Sequence, residues 1–325
     1  MQFLDDRLSV DLTFYNMVSK NQFMVGYNQK GQSIPMNTGK VRNRGFEATV
    51  GYNFHFGKDW RWKTSFNFSY NKNKIVKTAY NEDGSESLFY KDVAGVRVRF
   101  REGGSYGDMY INDFQRNEDG TLKLNSNGKP MLETAANKIY GVKIGNMNSK
   151  YQLGWSNTFN YKNFQLFFLI NGRMGGKVIS LTEAYLDEAG LSQRTADARL
   201  AAEASGLTVN GQPAMELPDG SGRLIAVEDW YTTVGAKGKQ YSPNYVYNAT
   251  NFRLRELSIG YTFRNLLGNG KNLGLSFIAR NLFFFYKDAP VDPDISLSTG
   301  NGLGGFEIFN MPSTRSYGFN VKLNF

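Results

Sequence analysis

Residues 60–71 read WRWKTSFNFSYN. As a strand, this stretch places Trp60, Trp62, Thr64, Phe66, Phe68 and Tyr70 on one face and Arg61, Lys63, Ser65, Asn67, Ser69 and Asn71 on the other. The period of two is unbroken, so a helix is excluded. The apolar face is almost wholly aromatic. A monomer in water rarely tolerates so large an exposed belt of rings, whereas a bilayer solvates it as it stands.

The same pattern recurs along the chain and gives eight strand candidates. Upstream lie about 7–18, with Leu8, Val10, Leu12 and Phe14 on one face, and about 44–56, with Phe46, Ala48, Val50, Tyr52, Phe54 and Phe56. Downstream lie about 60–72 itself, 150–161, 164–173, 251–263 and 272–284. The last, RSYGFNVKLNF at 315–325, aligns Tyr317, Phe319, Val321, Leu323 and Phe325. In 251–263 the apolar phase changes from even positions (Phe252, Leu254) to odd ones (Leu257, Ile259, Tyr261, Phe263), which predicts a bulge near Glu256.

The connections decide the architecture. GKD at 57–59, Lys162-Asn163 and RNLLGNGK at 264–271 are short; 19–43, 73–149, 174–250 and 285–313 are long. Short and long alternate strictly. In an up-and-down antiparallel sheet this puts every short turn on one edge and every long loop on the other, the asymmetry of an outer-membrane barrel with short periplasmic turns and long extracellular loops. The fold class expected is therefore all-β, an antiparallel transmembrane outer-membrane β-barrel. Its parity returns the last strand to the short-turn side, with Phe325 at the periplasmic edge and the strand itself at the closing seam. Within the third long connection, the alanine- and glutamate-rich stretch with Ser192 as a cap and Gly206 as a stop predicts one or two short helices. NEDGS at 81–85, NEDGT at 117–121 and NSNGK at 125–129 read as hairpin turns.

Composition agrees and narrows the chemistry. Aromatic residues make up 15% of the 325 residues, yet the mean hydropathy is −0.46, so large rings are interleaved with polar residues. No run approaches the roughly 18 apolar residues of a spanning helix. The net charge of +9 is spread through strands and loops, with RVRFR at 97–101 the densest basic tract, which argues against nucleic acid. The opening MQFLDDRLSVDL lacks the basic and apolar regions of a signal peptide. With no cysteine there is no disulfide framework, and the single histidine, His55, leaves no metal cluster or histidine-based triad.

Other constellations fail on inspection. In the stretch ending at Gly120, the first and twelfth EF-hand positions fall on Gln115 and Ser126, so calcium is not expected. The glycine runs at 103–107 and 300–305 lack the setting of a phosphate loop. Asp187 with Glu188 and Glu228 with Asp229 are adjacent acids on loops, the pattern of solvated carboxylates. No enzyme activity and no cofactor are expected. One signal remains: Trp230, Tyr231, Tyr241, Tyr245 and Tyr247 precede the sixth strand. Three roles are open to these rings: stacking on sugar or peptide ligands, forming an interfacial girdle, or touching a lid protein.

Several stretches resemble one family. RNRGFEATVGYNF at 42–54, WKTSFNFSYNKNKIVK at 62–77, YVYNATNFRLRELSIGYTF at 245–263, ARNLFFFYKDAPVDPD at 279–294 and STGNGLGGFEIFNMPSTRSYGFNVKLNF at 298–325 are similar to the C-terminal barrel portion of the SusC/RagA family, the TonB-dependent outer-membrane receptors of Bacteroidetes. The resemblance implies a plugged barrel of about 22 strands, of which residues 1–325 form the last eight or so, without plug domain, TonB box or signal peptide. It implies nutrient import of oligosaccharides or peptides with a SusD-like surface lipoprotein, outer-membrane lipid around the barrel, and coupling to the TonB complex only through the absent N-terminal part. On that view the chain is inactive alone. The alternatives are a small passive barrel or adhesin closed by eight strands, and a soluble all-β carbohydrate-binding protein.

Overall fold

A computed structural model describes residues 2–27, 32–80, 89–93, 96–132, 141–235, 243–266, 268, 270–295, 297 and 303–324. The chain opens with β1 (Gln2–Phe3), β2 (Leu8–Tyr27), β3 (Ser33–Phe56) and β4 (Trp60–Lys77). The connection that follows holds β5 (Phe89–Val93), β6 (Val96–Phe100), β7 (Asp108–Ile111) and β8 (Val142–Asn146). After the hairpin of β9 (Tyr151–Tyr161) and β10 (Phe164–Met174) come β11 (Lys177–Ser180), α1 (Leu181–Glu188), α2 (Gln193–Ser205), β12 (Thr208–Val209), β13 (Gln212–Glu216), β14 (Leu224–Ala226), α3 (Val227–Val234) and β15 (Val246–Asn248). The last elements are β16 (Asn251–Phe263), β17 (Asn272–Lys287), β18 (Phe306–Glu307) and β19 (Ser316–Asn324).

All eight expected strands form, and they lie side by side in one nine-stranded sheet of order β1-β2-β3-β4-β9-β10-β16-β17-β19. Every junction in it is antiparallel. The bulge falls one residue from its expected place: Leu169 pairs with Glu256 and Ile170 with Leu254, so Arg255 is the extra residue. Among the described residues β1 and β19 do not pair with each other, so the sheet is open. The small barrel closed by these strands alone is not what forms.

One connection departs from expectation. Residues 19–43, read as a long loop, largely continue the ladder, with β2 and β3 paired from Leu8–Tyr52 out to Tyr27–Ser33. The alternation that identifies a strand requires one wet and one apolar face. Beyond the bilayer both faces are wet, so Lys20 and Gln22 stay in register opposite Lys40 and Thr38 without leaving a periodic trace in the sequence.

The other three long connections fold into a layer with its own core. Val96, Met109, Ile111, Leu122, Ile179, Leu181, Trp230, Tyr245 and Phe306 are among the residues buried there. The expected helix appears as α2, where Ser192 Oγ accepts the Thr195 N–H and Gly206 closes the end at φ 70. NEDGT and NSNGK turn as read, with Gly120 and Gly128 N–H donating to the Asn117 and Asn125 carbonyls at 3.0 Å each. NEDGS at 81–85 lies outside the described residues.

Candidate functional site

The sheet is organised in rows that the register defines. One row runs Phe56, Trp60, Tyr161, Phe164, Tyr261, Leu275, Val321 beside the short turns. The next runs Phe54, Trp62, Phe159, Leu166, Ile259, Phe277, Phe319. Further rows follow at two-residue intervals up to Phe46, Tyr70 and Tyr151. From Trp60 to Tyr70 this face spans eleven residues, whose ten steps make about 33 Å along a strand and about 25 Å in height at a tilt near 40°, the thickness of an outer-membrane apolar band. Ring stacking ties the girdle together: Trp60 and Tyr161 centroids are 4.5 Å apart, and Phe54 and Trp62 4.6 Å.

Thr64 and Asn157 are polar members of an apolar row. They face each other across β4 and β9. Trp62 Nε1–H donates to Asn157 Oδ1 at 3.0 Å and Trp155 Nε1–H to Thr64 Oγ1 at 2.9 Å. Lipid offers no acceptor, so these two side chains satisfy the indoles within the belt. The opposite face of the sheet is polar, with rows such as His55, Arg61, Asn160, Gln165, Gly260, Ser276, Asn320. Buried apolar packing therefore sits in the loop layer, while the sheet turns its rings outward. Among the described residues no helix is long and apolar enough to cross a membrane.

The loop layer is locked by two polar networks. In the first, the buried Asp187 accepts hydrogen bonds from Ser192 Oγ at 2.5 Å, Tyr245 Oη at 2.9 Å and Arg194 Nη1 at 3.2 Å. Arg194 also reaches Glu183 at 2.9 Å, and Tyr247 Oη donates to the same carboxylate. Burial, then the bond to Glu183, pushes the Tyr247 phenol up to about 12. Burial and the Asp187 charge push Tyr245 up as well. In the second, Arg253 pairs with Asp292 at 3.1 Å and with Asp294, which Arg173 also holds at 3.1 Å. This latch ties the last long connection to the wall at the outer ends of β10 and β16.

The sequence-selected rings are brought together, but inward. Trp230 is buried and stacked on Phe114 at 5.8 Å between centroids, Tyr231 is buried beside it in the same core, and Tyr245 is fully buried. Their work in this conformation is packing. Tyr241 and Phe325 lie outside the described residues. Tyr317, Phe319, Val321 and Leu323 are exposed along β19, the free edge of the sheet. Among the rings that the loop layer presents, Tyr185 and Phe309 stack at 5.7 Å, with Phe309 64% exposed. Nothing in FEIFNMP distinguished Phe309, because a ring in an aperiodic stretch has no predictable face.

Comparison with known proteins agrees with this geometry. Residues 1–126 match the family model described as TonB dependent receptor-like, beta-barrel. TonB-dependent receptor P3 of Formosa agariphila is 24% identical over 356 residues, covering 99% of this chain and 33% of that protein. TonB-dependent receptor SusC of Bacteroides thetaiotaomicron is 22% identical, covering 90% of this chain and 28% of that protein. Among solved structures, the RagAB peptide importer in its open-open state superposes with a TM-score of 0.68 at 18% identity, over 99% of this chain and 33% of that one. The chain thus spans about a third of the length of the proteins it matches. A lipid-height belt of rings, a polar opposite face, a folded loop layer on one edge and these matches together liken the chain to the barrel portion of the outer-membrane TonB-dependent receptors of the SusC/RagA kind.

Proposed function

We propose that this chain forms part of the wall and outer vestibule of an importer that takes up oligosaccharides or peptides through the outer membrane, driven by the TonB complex. The observation that carries the reading is the division of labour between faces: rings toward lipid, polar side chains toward the interior, and a separately packed loop layer above one edge. On this reading the plug and the TonB-engaging segment belong to the part of such receptors that this chain does not cover, and no bond-making chemistry is asked of the described residues. In cells carrying the intact receptor, uptake of labelled oligosaccharides or peptides is expected to require the receptor and to stop when a protonophore collapses the energy supply. Flux that persists with the protonophore would replace this reading with a passive pore.

A SusD-like surface lipoprotein is proposed as the lid. Supporting it are large apolar side chains left exposed in the loop layer: Leu191, Leu200, Phe309 and Met311 are 75%, 64%, 64% and 84% exposed. Leu200→Asp with Phe309→Asp is expected to weaken capture of the lipoprotein about tenfold while leaving heat-modifiable folding of the receptor unchanged. Capture at wild-type strength would remove the lid from this surface.

A further inference from the structure

Where the polar face of the sheet meets the foot of the loop layer lies an open pocket of about 610 Å³. Its frame is held from within. Asn73 Nδ2 donates to Asn43 Oδ1 at 2.8 Å, and Asn73 Oδ1 accepts the Tyr106 N–H at 2.7 Å. Asn146 Nδ2 donates to the Tyr106 carbonyl at 3.1 Å and to Asp108 at 2.9 Å.

Lys150 and Lys177, with Lys72 beside them, complete the wall. The Lys150 and Lys177 stems lie on glycine. A Cβ on Gly145, at φ 144, would stand 2.7 Å from Lys177 Cγ, and one on Gly175, at φ 79, would stand 3.5 Å from Lys150 Cβ. Backbone at these angles favours glycine, and at Gly145 the missing side chain leaves the space that the Lys177 stem occupies, while at Gly175 the Lys150 stem lies at ordinary contact distance. Among the described residues no carboxylate lies within ion-pair distance of either ammonium group. No carboxylate and no aliphatic side chain of Val, Leu or Ile lines the cavity. The nearby Asp108 is already taken by Lys143 Nζ at 2.6 Å.

We propose that this cavity is a binding subsite for an acidic oligosaccharide, with side-chain amides meeting hydroxyls and Lys150 and Lys177 meeting carboxylate or sulfate. The proposal rests on the importer reading above. A peptide would need aliphatic lining for its side chains, whereas the cavity offers amides, hydroxyls, the one ring of Tyr106 and ammonium groups with no carboxylate partner among the described residues; the ring serves any sugar, and the ammonium groups favour an acidic one. Ammonium groups on flexible stems serve as point charges for either kind of acid.

The test is direct binding to the intact receptor in detergent, using oligogalacturonate, a chondroitin sulfate oligosaccharide and neutral maltohexaose as probes. At least one acidic probe is expected to bind about tenfold or more tightly than maltohexaose at low salt, and to weaken as ionic strength rises to about 0.15 M. Which acidic probe binds separates carboxylate from sulfate recognition. Lys150→Met with Lys177→Met, which keeps the apolar stems, is expected to lower that affinity about tenfold. Gly145→Ala, which keeps both charges but displaces the Lys177 stem, is expected to lower it as well. Equal binding of neutral and acidic probes, no binding of either acid, or an unchanged affinity in both variants overturns the subsite. None of these outcomes touches protonophore-sensitive uptake, on which the importer reading stands separately.

Discussion

At the scale of single residues, the informative positions are the two that break the apolar row. Asn157 is fully buried, accepts the Trp62 indole and leaves its own side-chain N–H₂ without a partner. A buried donor left unpaired costs about 1–3 kcal/mol, while removing both partners of a bond together is close to neutral. Asn157→Leu alone orphans the Trp62 N–H, a cost of about 1–3 kcal/mol that removal of Asn157's own unpaired donor partly offsets. Adding Trp62→Phe is expected to recover most of that loss, a coupling readable by denaturant melting of the folded band in detergent. Equal loss in the single and double variants would mean that the bond contributes nothing. The alternation of WRWKTSFNFSYN put Thr64 on the lipid face, but its partners were not legible. Thr64 and Trp155 meet across 91 residues of sequence, and no local pattern encodes a contact at that range.

At the scale of elements, what was legible is what is local. Ser192 and Gly206 bound α2 because a cap and a left-handed stop are each set by one residue. The network around Asp187 was not legible, since it joins α1, α2 and the segment before β16 through Tyr245, 58 positions away. Nor was the burial of Trp230 and Tyr231, because aromatic content does not say which side of a loop layer a ring takes. The raised Tyr247 phenol gives this network a pH signature. Below pH about 10 the phenol is protonated folded or unfolded; between about 10 and about 12 the folded layer keeps a proton that the unfolded chain has lost. Stability of the loop layer is therefore expected to fall as pH rises through that window. Limited proteolysis of the loops should accelerate there, and Tyr247→Phe should flatten its pH dependence. A profile with the same slope in the variant would assign the effect to Tyr245 or Tyr231, whose phenols burial also raises.

At the scale of the whole molecule, the eight alternating stretches gave the sheet, its order and its direction, because each of those strands has one wet and one apolar face. The exception, residues 19–43, shows the limit of that signal: the ladder runs on where both faces are wet. What no stretch could reveal is whether the two edges meet, since the hydrogen-bonding groups of an edge look alike whatever they pair with. Among the described residues β19 pairs with β17 alone, through nine residue pairs from Asn272–Asn324 to Arg280–Ser316, which leaves its outer edge free. An edge of that length within an apolar belt leaves a row of unpaired N–H and C=O groups, each costing several kcal/mol in hydrocarbon. These strands therefore require further strands at both edges to be stable in a membrane. The chain produced alone and refolded in detergent is expected to remain aggregated and to show no heat-modifiable band. Refolding it with the remainder of a complete receptor of this family is expected to give a compact band that shifts on heating. A compact, heat-modifiable species from the chain alone would mean that the edges find each other, and would restore the small closed barrel.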